Sequence, residues 1–218
     1  MKRQAATGPE IVRVVAPNLK KITLEIQGTA PLVMHKFSQK AKQAMLDTMS
    51  TPKAEKKSRR ERPPRDYDAE LIEAQHISTE GWVGMPCPAF RAACIAACRL
   101  CGLVMTQAKL SLFVLPDGFD SDDGTPLVKL VVGAPEKHEI AVRLETGVFD
   151  IRVRPMWREW GAGVTIEYDA DLITADSIAN LLDRAGRQVG IGEGRPFSKL
   201  SVGMGWGTFR VVFNDKEK

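Results

Sequence analysis

The sequence lacks any long hydrophobic run, since no apolar stretch approaches the ~18–20 residues that a membrane-spanning helix needs. Lys2 and Arg3 give the chain a basic beginning like that of a signal peptide, but no apolar segment follows them. We therefore expect residues 1–10 to form a short flexible tail. The protein is expected in the cytoplasm, either of a bacterium or of an infected cell.

Cysteine is scarce, and three of the four cysteines, Cys94, Cys98 and Cys101, lie in one alanine-rich segment. This clustering is unlike the disulfide framework of a secreted protein and is typical of a reducing compartment. The C-x3-C-x2-C spacing is also that of iron–sulfur radical-SAM enzymes. Here, however, the three cysteines share one face of a predicted helix over 89–101, where cysteine packs as a small hydrophobe. We therefore predict no metal and no cofactor.

Histidine is scarcer still, with three residues that have no metal-ligand spacing: His35, His76 and His138. The carboxylates are scattered, apart from a cluster in a predicted turn that we expect to be solvated: Asp120, Asp122 and Asp123. No Ser, Tyr or Lys constellation accompanies a histidine, so the sequence predicts no catalytic residue.

Positive charge is abundant in one segment only. The chain carries a net charge of +4, of which residues 53–65 supply +5 and the remainder −1. The basic residues of this segment are Lys53, Lys56, Lys57, Arg59, Arg60, Arg62 and Arg65. Together with three prolines they predict a disordered basic loop over 50–66, inside an insertion that covers residues 30–80. Such a concentration favours a polyanionic partner, although a solvated loop has the same composition.

Hydrophobic periodicity outlines the remaining elements. Ile22, Leu24 and Ile26 alternate with polar residues, which predicts a half-buried strand. Similar patterns predict further strands at 109–115, 127–132, 148–155, 164–168 and 208–213. Helical spacing and end signals predict helices at 38–49, 89–101 and 175–185, and residues 67–77 form a second short amphipathic stretch.

The order of these elements predicts one α+β domain over residues 11–213, followed by a tail over 214–218. Strands 148–155 and 164–168 are expected to form a hairpin around a tryptophan-containing turn. Reduced to its core, the order is β-α-β-β-α-β, which is the ferredoxin-like or RRM-like arrangement. It has an antiparallel sheet with helices on one face and an open second face.

Strand alternation directs three arginines to the open face of this predicted sheet, namely Arg152, Arg154 and Arg210. Arginines on an open sheet suit the phosphates of a nucleic acid. They equally suit ion pairs with Glu25 and Glu167 on the same face.

Glycine recurs at alternate positions in residues 190–194 and again in 203–207. This segment follows a helix and opens a strand, which is the reverse of a dinucleotide-binding fingerprint. Unhindered backbone N–H groups can still approach a phosphate chain, with Arg195 and Lys199 nearby. The alternative is a glycine-rich turn that is needed only for tight packing.

Residues 186–211, from Gly-Arg-Gln-Val-Gly-Ile-Gly-Glu-Gly-Arg-Pro to Gly-Met-Gly-Trp-Gly-Thr-Phe-Arg-Val, resemble the glycine-rich loop and last strand of the RAMP superfamily. These are the RRM-like proteins of CRISPR effector complexes. The order of strand, basic insertion and helix also looks like that of their backbone subunits. The resemblance implies single-strand binding, side-by-side assembly, and contacts from the basic insertion and from Gly192, Gly194 and Arg195. A stand-alone relative encoded by a bacteriophage is an equally suitable member.

The sequence thus predicts a non-catalytic protein that binds single-stranded DNA or RNA with low sequence specificity. It is expected to self-associate along the strand, as a homo-oligomer or filament. One alternative is a metal-independent ribonuclease of the RAMP type. Another is a structural adaptor whose basic loop contacts a second protein.

Overall fold

The structure, a computed structural model, describes residues 14–37, 39–50, 65–143, 147, 149–198 and 203–213. It is an α+β fold with a mostly antiparallel sheet and several helices. Across these residues no helix combines the length and the apolar character that a membrane span requires. The predicted tails 1–10 and 214–218, and most of the predicted loop 50–66, lie outside the described residues.

The strands are, in chain order, β1 (Leu19–Gly28), β2 (Leu32–Val33), β3 (Gly84–Pro86), β4 (Leu112–Val114), β5 (Gly118–Phe119), β6 (Pro126–Val132), β7 (Glu136–Arg143), β8 (Phe149–Trp157), β9 (Trp160–Asp169) and β10 (Phe209–Val211). The helices are α1 (Gln39–Ser50), α2 (Tyr67–Glu73), α3 (Cys87–Cys101), α4 (Met105–Ser111) and α5 (Ala175–Arg184). A π-helical turn, Ala185–Val189, extends α5.

The larger sheet has the strand order β10-β1-β9-β6-β3, with β4 added to β9 and β5 added to β6. All of its pairings are antiparallel. The alternation predicted for β1 is confirmed, because Ile26 is buried while Thr23 on the other face is exposed. Strand β9 alternates in the same way, with Val164 and Ile166 fully buried. One face of this sheet is therefore apolar and the other is polar.

Helices α3 and α5 cover the apolar face. Phe90 of α3 and Phe209 of β10 meet edge to face, with ring centroids 6.0 Å apart. The predicted end of α3 is confirmed, since Gly102 takes a left-handed conformation with φ of 71°. The predicted cap of α5 is also confirmed, because the Thr174 side chain accepts a hydrogen bond from the Ser177 amide. Gly186 does not end the helix as expected, because the backbone continues as the π-helical turn.

The predicted hairpin is wrong, because β8 and β9 belong to different sheets. Strand β9 pairs with β1, whereas β8 pairs with β2 and β7 in a separate three-stranded sheet. The chain passes between the sheets at Arg158 and Glu159. Buried indoles fix this corner: Trp160 donates a hydrogen bond to the Ala30 carbonyl oxygen at 2.8 Å, and Trp157 donates to that of Gly133 at 3.1 Å.

Other elements also differ from expectation, among them the short strands β2, β3 and β5, which were not predicted. The strand predicted at 109–115 is helix α4 followed by the short β4, since Met-Thr-Gln-Ala-Lys-Leu contains good helix formers. Strand β7 was not predicted, because its first residues, Glu-Lys-His-Glu, lack the apolar positions that mark a strand.

Candidate functional site

A groove of about 490 Å³ lies between α3 and the glycine-rich segment. Alanines of α3, including Ala89, Ala93 and Ala96, form one wall, and residues from Val189 to Phe197 form the other. His35 and His76 also line it. The small alanine side chains of α3 leave the space that makes this groove.

The second wall of the groove, formed by residues 189–197 and here called the glycine wall, contains glycines with positive φ angles. Gly192 and Gly194 have φ of 77° and 72°, values that residues with a Cβ rarely adopt. A Cβ on Gly192 would lie 2.6 Å from the Val33 carbonyl oxygen, and one on Gly194 would lie 2.5 Å from the Trp206 ring. These glycines therefore serve tight packing, as the alternative interpretation of the sequence expected.

The same segment also offers hydrogen-bond donors. Among the described residues, the amide groups of Gly192 and Gly194 donate to no acceptor, whereas the amide of Glu193 donates to the Val33 carbonyl oxygen at 2.9 Å. The glycine wall is thus held in place by its middle residue. Packing and anion binding are compatible functions of this backbone.

Arg195 brings a positive charge to the groove. One of its guanidinium nitrogens donates to the Gly192 carbonyl oxygen at 3.0 Å, and no carboxylate of the described residues pairs with it. A guanidinium that bonds only to a neutral carbonyl retains its capacity to bind an anion.

A second cluster of charge lies where β8 meets the glycine wall. Arg154 is buried, and its Nε donates to Glu193 Oε2 at 2.9 Å. His35 Nδ1 lies 3.9 Å from the same carboxylate oxygen. Burial and the positive charge of Arg154 lower the pKa of His35, and they outweigh the raising effect of Glu193. His35 therefore favours its neutral form in this groove.

The other histidine of the groove is held by a buried carboxylate. His76 Nδ1 lies 2.7 Å from Asp120 Oδ2, and the ammonium of Lys36 lies 2.7 Å from Asp120 Oδ1. Lys36 also reaches Asp122 at 2.5 Å. The prediction that Asp120 is solvated is wrong, since its side chain is fully buried. Although burial alone raises the pKa of Asp120, hydrogen bonds from Lys36, from the Asp122 amide and from His76 outweigh it and lower the pKa overall.

The three arginines do not share one open sheet face as predicted. Only Arg210 lies on the polar face of the larger sheet, where it donates to Gln27 at 2.9 Å. Arg152 and Arg154 lie on β8 in the other sheet. Arg154 is buried there, whereas Arg152 is partly exposed, with its Nε 3.7 Å from Asp150.

The alternative pairing with Glu25 and Glu167 is wrong as well. Glu167 lies 3.6 Å from the Lys21 ammonium, and the Glu25 carboxylate lies over Gly163 of the neighbouring strand. Strand β8 is not part of this sheet, and its arginines pair instead with Asp150 and Glu193.

The basic segment is described only at its end. Arg65 binds Glu70 through two hydrogen bonds, of 2.7 and 2.9 Å, and also donates to Asp150 of β8. The Arg65 guanidinium is therefore engaged by carboxylates of the protein itself rather than available to a phosphate. The remaining predicted contacts lie outside the described residues: Lys53, Lys56, Lys57, Arg59, Arg60, Arg62 and Lys199.

The clustered cysteines lie on α3 as predicted. Cys94 and Cys98 are buried as expected, whereas the expected packing of Cys101 is wrong, since it is exposed at the end of the helix. Burial raises the pKa of Cys94 to about 12, so its thiol stays protonated. The thiols of Cys98 and Cys101 donate to carbonyl oxygens one turn earlier in the helix, those of Cys94 and Ala97.

Sequence analysis identified the glycines and Arg195 but missed His35, His76 and Glu193 as residues of one groove. Each was a single polar residue without a local motif. Comparison of the chain with protein-family models gives no match, and neither does comparison with curated proteins.

Proposed function

We propose that the protein binds single-stranded DNA or RNA in the groove between α3 and the glycine-rich segment, without catalysis and with low sequence specificity. This proposal rests on one combination of donors. Arg195 has no carboxylate partner among the described residues, and the amide groups of Gly192 and Gly194 beside it donate to no acceptor among them. Guanidinium and backbone N–H groups are the usual donors to phosphate oxygens.

The apolar part of the groove favours a single strand over a duplex. Ala89, Ala93 and Met85 lie beside the polar rim, and Phe197 is half-exposed at its end. Unpaired bases expose flat apolar faces that such a surface can cover, whereas a duplex hides them. Alanine and glycine make up much of the described lining of the groove, so we propose that binding tolerates many sequences.

The basic segment extends this surface. Arg65 ties its end to Asp150 and to the Ile151 carbonyl oxygen, on the strand that also carries Arg152. We propose that the remaining cations of this segment add phosphate contacts next to the groove and that copies of the protein assemble side by side along the strand.

The proposed fold is ferredoxin-like with an elaborated edge. The order β10-β1-β9-β6 supports it, because in chain order these are the fourth, first, third and second strands of a β-α-β-β-α-β core. Helix α3 follows the first of these strands and α5 follows the third.

Replacing Arg195 by glutamine tests the groove directly. Counterion release predicts that log affinity for a labelled (dT)20 or (rU)20 falls linearly with log salt, with a slope of about −0.7 per phosphate contact. Arg195→Gln should flatten the slope by about 0.7 and weaken both oligonucleotides similarly. Fluorescence anisotropy at several salt concentrations measures both effects.

The matched control is Arg158→Gln, which removes an equal charge from an exposed ion pair with Glu136. An unchanged slope in folded Arg195→Gln protein would remove the groove from the binding surface. If the unaltered protein bound neither oligonucleotide at low salt, the adaptor function would be favoured instead.

Metal-independent RNA cleavage is a second candidate, favoured by the two histidines in the groove. Asp120 holds Nδ1 of His76, which leaves Nε2 as the remaining ring nitrogen, and the lowered pKa of His35 favours the unprotonated imidazole that can accept a proton. Incubation of end-labelled single-stranded RNA in EDTA tests this candidate. Cleavage that His76→Ala and His35→Ala each abolish would establish it, and intact RNA would leave binding as the function.

A further inference from the structure

Glu193 is an acidic residue in the middle of the proposed phosphate-binding wall. It lies between Gly192 and Gly194, and the hydrogen bond that its amide donates to the Val33 carbonyl oxygen fixes its backbone. Its carboxylate points to Arg154 and His35 rather than away from them, with Oε2 at 2.9 Å from Arg154 Nε and at 3.9 Å from His35 Nδ1. About a third of the Glu193 side chain remains exposed, so solvent and ligands can reach it.

Arg154 needs an anion at this position. Its side chain is nearly buried, and its other hydrogen bond runs to the neutral Val153 carbonyl oxygen. A buried guanidinium without a counter-charge is strongly unfavourable. Carboxylate and phosphate both fit the donor geometry of a guanidinium, so either group can satisfy Arg154.

The surroundings of Glu193 remain positive in spite of its charge. Arg154 lowers the pKa of His35 more than Glu193 raises it, and Arg152 lowers it further. Arg195 and His76 also line the groove, and the His76 ring is engaged by Asp120. Besides Arg154, the guanidinium groups of Arg152 and Arg195 lie in this part of the protein, which is the arrangement expected where a second anion also binds.

We propose that the Glu193 carboxylate occupies the position of a nucleic-acid phosphate and is an internal competitor that a bound strand displaces from Arg154 and His35. This inference rests on the proposed function. It adds a specific phosphate subsite, composed of Arg154, His35 and the flanking glycine amides. Because a ligand must displace the Glu193 carboxylate, the subsite binds short or sparsely charged ligands more weakly.

The test is the variant Glu193→Gln, which keeps the size of the side chain and removes its charge. Its affinity for labelled (dT)20 at low salt should rise about tenfold. Its salt dependence should steepen by about 0.7, because the displaced carboxylate of the unaltered protein takes up a cation that offsets the one released by the phosphate, whereas glutamine does not. The control Glu136→Gln removes the same charge from an exposed pair with Arg158 and should change affinity less than twofold.

A second readout needs no nucleic acid. Sodium phosphate, compared with sodium chloride at equal ionic strength, should raise the Tm of Glu193→Gln more than that of the unaltered protein, since the uncompensated Arg154 binds the free anion. A purely structural ion pair would lower Tm in both salts equally. Should Glu193→Gln fail to fold, Glu193→Asp carries the test, because the shorter carboxylate moves away from Arg154 and should give a smaller gain in affinity.

The outcomes separate the two proposals. If the unaltered protein binds (dT)20 but neither Glu193 variant binds more tightly than Glu136→Gln, the competitor role is overturned and the proposed function stands. If the unaltered protein binds neither (dT)20 nor (rU)20 at low salt, the proposed function fails, and the phosphate subsite fails with it.

Discussion

Gly207→Ala is expected to destabilise the protein severely. A Cβ at Gly207 would overlap the carbonyl oxygen of Ile191, and the residue has φ of 65°. The left-handed backbone costs a non-glycine residue about 1 kcal/mol, and forced overlap in a packed region adds about 1–3 kcal/mol. We therefore expect a loss of about 2–4 kcal/mol in the free energy of unfolding, measured by urea denaturation.

Gly205→Ala is the matched control two residues earlier. Gly205 has φ of 79°, but a Cβ there meets nothing within 4 Å. Its substitution should cost only the backbone strain, about 1 kcal/mol. Equal losses in the two variants would show that backbone strain alone determines stability here and that the contact with Ile191 can relax. The comparison thus separates conformational strain from close packing in the glycine-rich segment.

Lys36→Met should have an effect of similar size for a different reason. Lys36 and Asp120 are both almost completely buried, and removing the ammonium leaves the carboxylate without its main counter-charge. We expect the free energy of unfolding at pH 7 to fall by about 3–5 kcal/mol. Lys21→Met is the control, since its 3.6 Å pair with Glu167 is exposed and contributes about 0.5 kcal/mol or less.

The double variant Lys36→Met with Asp120→Asn isolates the buried charge. Neutralising the carboxylate removes the desolvated charge, so the double variant should recover part of the stability that Lys36→Met loses.

In the unaltered protein, the lowered pKa of Asp120 means that its contribution to the free energy of unfolding is present at neutral pH and is lost as the pH falls below about 3.9. If Lys36→Met were no less stable than Lys21→Met, the buried network would not support the fold.

Local sequence was sufficient for the elements that carry their own signals. Strand β1 alternates apolar and polar residues, and helix α5 has a threonine cap and an apolar stripe. Such signals depend on neighbours a few residues apart, which share one face of a helix or strand. Helix α3 could be predicted on the same basis, with Gly102 at its end.

Strand pairing required the tertiary structure. Nothing local indicates that β8 leaves the larger sheet, because its alternation is compatible with either sheet. Register and partner are set by contacts distant in sequence, such as Trp157 opposite Leu32. The positions predicted for Arg152 and Arg154 were wrong for this reason.

The candidate site also has features that the sequence predicts and features that only the tertiary structure decides. The sequence by itself determined the glycine pattern and placed Arg195 within it, since backbone conformation at glycine is a local property. Only the tertiary structure decided that Glu193 meets Arg154, 39 residues away in the chain, and that Lys36 meets Asp120, 84 residues away. A buried charge is stable only beside its partner, and that partner is chosen by the packing of the whole fold rather than by the residues next to it.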